Sequence, residues 1–119
     1  MANILIIDDS KTSRKILRNL LEANGHVIIG EAKDGKEGVL KFKELKPDIT
    51  TLDITMPVLD GLEALKQMIE IDNKAKIVMV TAASQKSKMV EAIKHGATDY
   101  ITKPYEPEQV TSMIEKSLK

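Results

Sequence analysis

Apolar residues along the chain fall into short continuous runs that alternate with longer stretches of helical spacing. Ile4-Leu-Ile-Ile7, Val27-Ile-Ile29, Asp48 to Leu52, Ile77-Val-Met-Val80 and Tyr100-Ile-Thr102 are the runs. Runs of this length, rich in β-branched residues, read as strands buried on both faces, as in a parallel sheet. The first helix follows Ser10, a suitable N-cap. Its inner residues are Ile16, Leu17, Leu20 and Leu21, and Asn24-Gly25 stops it. A second helix follows Asp34-Gly35, with Val39, Phe42 and Leu45 at three-residue spacing. Gly38 weakens it by about 1 kcal/mol relative to Ala, and Pro47 ends it. A third starts near Gly61 with Leu62, Leu65, Met68 and Ile69 inside. A fourth is capped by Ser84, buries Met89, Val90 and Ile93, and closes at Gly96. The last runs from about Pro107 with Val110, Met113, Ile114 and Leu118 facing in.

Strand followed by helix, five times over, implies right-handed crossovers and an α/β fold: a parallel sheet with helices on both faces. The 119 residues suffice for one domain, expected over residues 1–119. Apolar residues make up 42% and charged residues 30%, as in a soluble globular protein. Lys+Arg and Asp+Glu both total 18. A zero net charge argues against nucleic-acid binding, which wants a basic surplus or stripe. Without Cys there is no disulfide, thiol nucleophile or zinc-thiolate site, and His26 and His95 are far apart in sequence. The N-terminus lacks a signal peptide's basic start and long apolar run. No stretch approaches a membrane span. The expectation is a cytoplasmic protein that touches neither membrane nor nucleic acid.

In open α/β sheets, sites lie outside the carboxyl ends of the strands. Asp8 and Asp9 follow the first strand, Asp53 the third, Thr81 the fourth and Lys103 the fifth. Gly30-Glu31, after the second, offers nothing as convergent. At about 4 Å and an effective dielectric near 20, each pair among three carboxylates repels by about 4 kcal/mol. A hard divalent cation relieves this, and a small oxygen-only ligand set that leaves waters in place suits Mg²⁺. A carboxylate beside such a metal, faced by a lysine and a hydroxyl, is placed to accept a phosphoryl group.

Asp8-Asp9, Leu52-Asp53 followed by Met56-Pro57 and Gly61, Thr81-Ala82 and Lys103-Pro104, as an ordered set over the whole chain, resemble the receiver domain of two-component response regulators. The match is closest to stand-alone receivers of the chemotaxis type. The resemblance implies a flavodoxin-like (βα)5 fold with strand order 2-1-3-4-5. It implies that Asp53 takes a phosphoryl group from a histidine kinase, and that Asp8, Asp9, Asp53 and the backbone carbonyl of Thr55 hold Mg²⁺. Thr81, Ala82, Lys103 and Tyr100 become the phosphate-binding and switch positions, with Lys103 pairing with Asp53 and then the phosphate. Tyr100 would rotate inward behind Thr81 and reshape the surface of the fourth helix, fifth strand and fifth helix. A cis Lys103-Pro104 bond is implied as well. So are a monomeric state and partners beyond the kinase: a flagellar motor switch protein and a phosphatase, or the components of another two-component pathway or phosphorelay.

Each residue also has a plainer reading. Asp8-Asp9 could cap the first helix, Asp53 could form a turn, and Thr81 could satisfy a backbone group. Lys103 could be a solvated lysine and Tyr100 plain core. His95 is expected to interact with the end of the fourth helix. The basic side of the first helix, Lys11, Arg14, Lys15 and Arg18, reads as a solvated face, or as part of a kinase-docking surface. Two other functions use related parts. An aspartyl-phosphate phosphatase would want Asp-x-Asp after the first strand. A flavin or nucleotide binder would want a Gly-rich loop there. Ala83 and Thr55 stand where receivers vary, so phosphate lifetime is open. Glu106-Pro107-Glu108 makes the entry to the last helix acidic.

Overall fold

Five apolar strands with no hairpin turns between them leave one arrangement, parallel pairing with a helix over each crossover. The computed structural model has it, and describes every residue except Thr55 and Pro57. In chain order the elements are β1 (Asn3–Ile7), α1 (Lys11–Ala23), β2 (Val27–Ala32), α2 (Gly35–Leu45), β3 (Ile49–Asp53), α3 (Gly61–Ile71), β4 (Ile77–Ala82), a 3-10 turn (Ala83–Gln85), α4 (Lys86–Lys94), β5 (Asp99–Lys103) and α5 (Pro107–Leu118). The strands form one sheet in the order β2-β1-β3-β4-β5, every pair parallel.

Side chains alternate across a strand, so the sheet has two cores. Leu5, Ile7, Leu52, Ile77 and Met79 pack with Phe42 of α2, Leu65 and Met68 of α3, and Met89 and Ala92 of α4. Ile4, Ile6, Ile49, Val78 and Ile101 pack with Leu17 and Leu21 of α1 and with Val110 and Ile114 of α5. One irregularity interrupts the alternation. Ile4 pairs with Ile28 but Leu5 pairs with Gly30, so β2 carries an extra residue at Ile29. Beyond this bulge Glu31 lies beside Ile6, on the α1 side of the sheet.

Several expectations need correction at the helices. Ile16 is exposed; Leu17 and Leu21, with Leu20 packed beside them, are the inner face of α1. Ser10 caps α1, accepting from the Ser13 amide at 3.2 Å. Arg14 and Arg18 are not part of a purely solvated face, because both reach Glu31. In α4 the inner residues are Met89 and Ala92, while Val90 and Ile93 are exposed. Ser84 does not cap that helix. It sits in the 3-10 turn, and α4 begins after Gln85 with no side-chain cap. Met89 is inside as expected, and only Val90 and Ile93 fall on the outer face. Tyr100 is 38% exposed rather than core. His95 is the C-cap of α4 and lies 3.9 Å from Glu91.

A second histidine ties the far end of the sheet together. His26 is 1% exposed at its side chain. Its Nδ1 accepts from the buried Ala2 amide at 3.1 Å, and its Nε2 faces Glu115 of α5 at 3.6 Å. His26→Leu should lower unfolding stability by about 1–3 kcal/mol, because it leaves the Ala2 N–H without its acceptor. Urea denaturation measures this, and an unchanged midpoint would count against the bond.

Candidate functional site

The site is built by alternation continuing past the strand ends. Asp8 follows Ile4 and Ile6, Asp53 follows Ile49 and Thr51, and Lys103 follows Ile101. All three therefore leave the carboxyl edge on the α1–α5 side of the sheet. Asp8 is only 5% exposed. Its amide extends the ladder to the Ala32 carbonyl at 3.0 Å. Its Oδ1 accepts from the Ser10 amide at 2.9 Å, and its Oδ2 lies 3.2 Å from Lys103 Nζ. Asp9 is exposed and Asp53 half-buried. One carboxylate oxygen from each of Asp8, Asp9 and Asp53 lies within 4.8 Å of the others.

Close backbone approach holds Asp53 in place. The Gly61 amide donates to the Ile54 carbonyl at 2.7 Å. A Cβ on Gly61 would stand 1.9 Å from the Asp53 carbonyl oxygen. Glycine is required there because α3 begins against the backbone of the candidate phosphoacceptor. Gly35 plays the same part at the start of α2, where a Cβ would meet the Leu59 carbonyl oxygen at 1.9 Å.

Thr81 lies on the other face, in register with Thr102. It is 1% exposed, and its hydroxyl donates to the Ala82 carbonyl at 3.2 Å. Ala82, exposed at the end of β4, is in register with Lys103. Behind Thr81 is a cavity of about 210 Å³ lined by Ala82, Lys86, Met89, Tyr100 and Thr102. The Lys103–Pro104 peptide bond is cis. Thus Asp8, Asp9 and Asp53 come together, with Lys103 on Asp8. Thr81, Ala82 and Tyr100 lie around the adjacent cavity. Thr55 is outside the described residues.

Two features were missed in the sequence. Tyr105 is half-buried beside the site. Burial pushes its phenol above the usual tyrosine range; Lys103 acts in the opposite sense and Asp8 adds to the rise. An aromatic residue directly after Lys103-Pro104 was the available signal. The other is Arg14, whose Nη1 donates to the Asp8 carbonyl at 2.7 Å while its Nε donates to Glu31 at 3.1 Å.

The donors fit a hard divalent cation. They are oxygens only, and three carboxylates gather there beside the Lys103 ammonium. Asp9 and Asp53 keep solvent access, which suits an ion that retains water.

The profile of the response regulator receiver domain matches residues 4–115. The chemotaxis protein CheY of Thermotoga maritima is 44% identical over 113 residues, covering 95% of this chain and 94% of that protein. The CheY of Listeria monocytogenes is 44% identical over 119 residues and the full length of both. Among solved structures, a CheX–CheY–BeF3–Mg complex from Borrelia burgdorferi matches with a TM-score of 0.94 and 34% identity, covering 98% of this chain and 89% of that one. The chain belongs to the response regulator receiver family, whose members are phosphorylation-dependent signalling switches rather than conventional enzymes. No helix among the described residues is long and apolar enough to cross a membrane.

Two outcomes follow from this geometry. Without metal, Asp9→Asn should stabilise the protein by up to about 1 kcal/mol, a modest gain because Asp9 is exposed and water screens its repulsion. A lower melting temperature than the parent would contradict the repulsion. Gly61→Ala should destabilise by about 3 kcal/mol, since the methyl group must displace the Asp53 backbone or the start of α3. A Gly61→Ala variant with the parent's urea midpoint would contradict the contact.

Proposed function

We propose that this chain, acting as one receiver unit over residues 1–119, accepts a phosphoryl group on Asp53 from the phosphohistidine of a cytoplasmic histidine kinase, with Mg²⁺ bound at the acidic pocket. The observation that carries this reading is the meeting of Asp8, Asp9 and Asp53 at one sheet edge with Lys103 beside them. Asp8, Asp9, Asp53 and the Thr55 carbonyl would hold the ion. When bound, it neutralises carboxylate charge and polarises the phosphoryl oxygens.

The chain's own groups do the rest. An Asp53 carboxylate oxygen attacks phosphorus in line, the P–N bond of the donor breaks with its electron pair going to nitrogen, and the ring, protonated on its other nitrogen, leaves as neutral imidazole. Asp53 needs no proton removed, because it is the reacting anion. Lys103 offsets charge on the transferred group. Thr81 exchanges its bond to the Ala82 carbonyl for one to a phosphoryl oxygen, and Ala82 supplies a backbone N–H. Tyr100 turns into the cavity behind Thr81.

Phosphorylation shifts an existing equilibrium between two conformations, and a partner reads one of them. The exposed Val90 and Ile93 of α4, Tyr100 of β5, and a cavity of about 520 Å³ between β5 and α5 support that face as the readout. Similarity to CheY proteins supports chemotaxis as the pathway, with a flagellar motor switch protein as target. The Borrelia complex supports a CheX-like protein as a further partner, and a phosphatase is a partner of this reading as well. The chain acts as a monomer.

Incubation with acetyl phosphate and Mg²⁺ tests the reading. The protein should gain one acid-labile phosphate, and Asp53→Asn should gain none. Equal labelling of the two, or none in the parent, would exclude Asp53 as the acceptor. Slow self-hydrolysis after a single phosphorylation is expected, whereas repeated turnover of a phosphate ester would indicate a phosphatase instead.

A further inference from the structure

We infer that Arg14, held by Glu31, is a positioning residue for the cation pocket, acting through the backbone of Asp8. This inference rests on the acidic cluster being a cation site, the reading proposed above.

Beyond Ile7 the β1–β2 ladder ends. The Asp8 amide still reaches the Ala32 carbonyl, and the Asp8 carbonyl takes its donor from a side chain, Arg14 Nη1 at 2.7 Å. This contact joins a cation to the backbone of the loop that carries both Asp8 and Asp9. Arg14 is itself fixed. It is largely buried for an arginine, 17% exposed, and its Nε donates to Glu31 Oε1 at 3.1 Å. The other carboxylate oxygen of Glu31 accepts from Arg18 Nη1 at 2.5 Å, and Arg18 also pairs with Glu22. Lys41 of α2 donates to the Glu31 carbonyl. Glu31 is therefore tied to two turns of α1 and to α2, and Arg14 carries that restraint to Asp8.

The arrangement depends on the bulge at Ile29. Strict alternation from Ile28 would send Glu31 to the α2 side of the sheet; the extra residue brings it beside Ile6, facing α1. An arginine held by a carboxylate at one end and a backbone carbonyl at the other has little freedom left, because its planar fork is committed in two directions. The Asp8 and Asp9 carboxylates are thereby preset for the ion rather than gathered by it, as outer partners preset ligands in metal sites generally.

Isothermal titration with Mg²⁺, without any phosphodonor, tests this. Arg14→Ala and Glu31→Ala should each bind Mg²⁺ about tenfold more weakly, the loss expected when a group orienting a ligand is removed. The double variant should be little worse than either, because the two residues act as one restraint. Arg18→Ala, which leaves the Glu31–Arg14 pair and the Arg14 bond to the Asp8 carbonyl in place, should keep the parent affinity. Arg14→Lys should recover part of the loss through a single donor to that carbonyl. In acetyl phosphate labelling, Arg14→Ala should need more Mg²⁺ but reach the parent rate at saturation. If Arg14→Ala fails to fold by circular dichroism, Arg14→Lys and Glu31→Gln carry the test with smaller losses expected.

Parent Mg²⁺ affinity in folded Arg14→Ala overturns the inference. So does an equal loss in Arg18→Ala, which would mean that α1 had merely loosened. A parent protein that binds Mg²⁺ yet never takes phosphate would sink the proposed function and leave this inference standing. A parent that does both, with Arg14→Ala unchanged, would do the reverse.

Discussion

Three carboxylates whose oxygens lie within 4.8 Å of one another repel, and the rest of the molecule holds them there. In an unfolded chain Asp53 would separate from Asp8 and Asp9. The folded sheet brings β1 and β3 together as neighbours, with Ile7 beside Leu52, so the next residues share an edge. The two hydrophobic cores supply the favourable free energy that sustains this, by removing apolar side chains from water on both faces. The Lys103 ammonium on Asp8 offsets part of the repulsion directly. Under the proposed function, the repulsion that is left would favour a divalent cation in the pocket. A protein that relaxed this repulsion fully in its metal-free state would bind a divalent ion less well.

Backbone contacts and charge act together at this edge. Gly61 brings the start of α3 onto the Asp53 backbone, and Arg14 secures the Asp8 backbone from the α1 side. The two carboxylates are thus anchored from opposite faces of the sheet. Neither anchor forms a covalent or metal bond; both act on backbone rather than on the carboxylates themselves. Metal sites keep their geometry by such outer restraints, since the ligands alone would splay apart under their own charge.

The fold was legible in the sequence because each strand is a short apolar run and each crossover carries a helical stripe. The candidate acids and Lys103 were legible because they sit where those runs end, and Thr81 for the same reason. Helix faces were less legible. Val90 and Ile93 belong to an apolar pattern that fits two phases, and α4, which follows a 3-10 turn at Ala83–Gln85, has the phase that buries Ala92 and exposes both of them. Ile16 fails similarly, at the margin of the α1 stripe. Glu31 was passed over because one extra residue at Ile29 decides which face it meets. No periodicity records a bulge, and a separation of 17 residues between Arg14 and Glu31 gives no local hint of a pair.

Sheet alternation also explains how one site could affect a distant surface. Asp8, Asp53 and Lys103 leave the edge on the α1–α5 side, whereas Thr81, Thr102 and Tyr100 belong to the side of α4. Under the proposed function, Thr81 must connect them, since it stands at the rim of β4 beside the strand that ends in Asp53. Its hydroxyl is committed to the neighbouring Ala82 carbonyl, a weak and local bond at 3.2 Å. A phosphoryl oxygen is the stronger acceptor because it is charged. Turning the hydroxyl toward it would draw the Thr81 side chain away from the cavity that Tyr100 lines, and an exposed ring with space beside it can fill what Thr81 leaves. The energy to move Tyr100 need not be large, because the ring starts at the surface and gains burial as it enters.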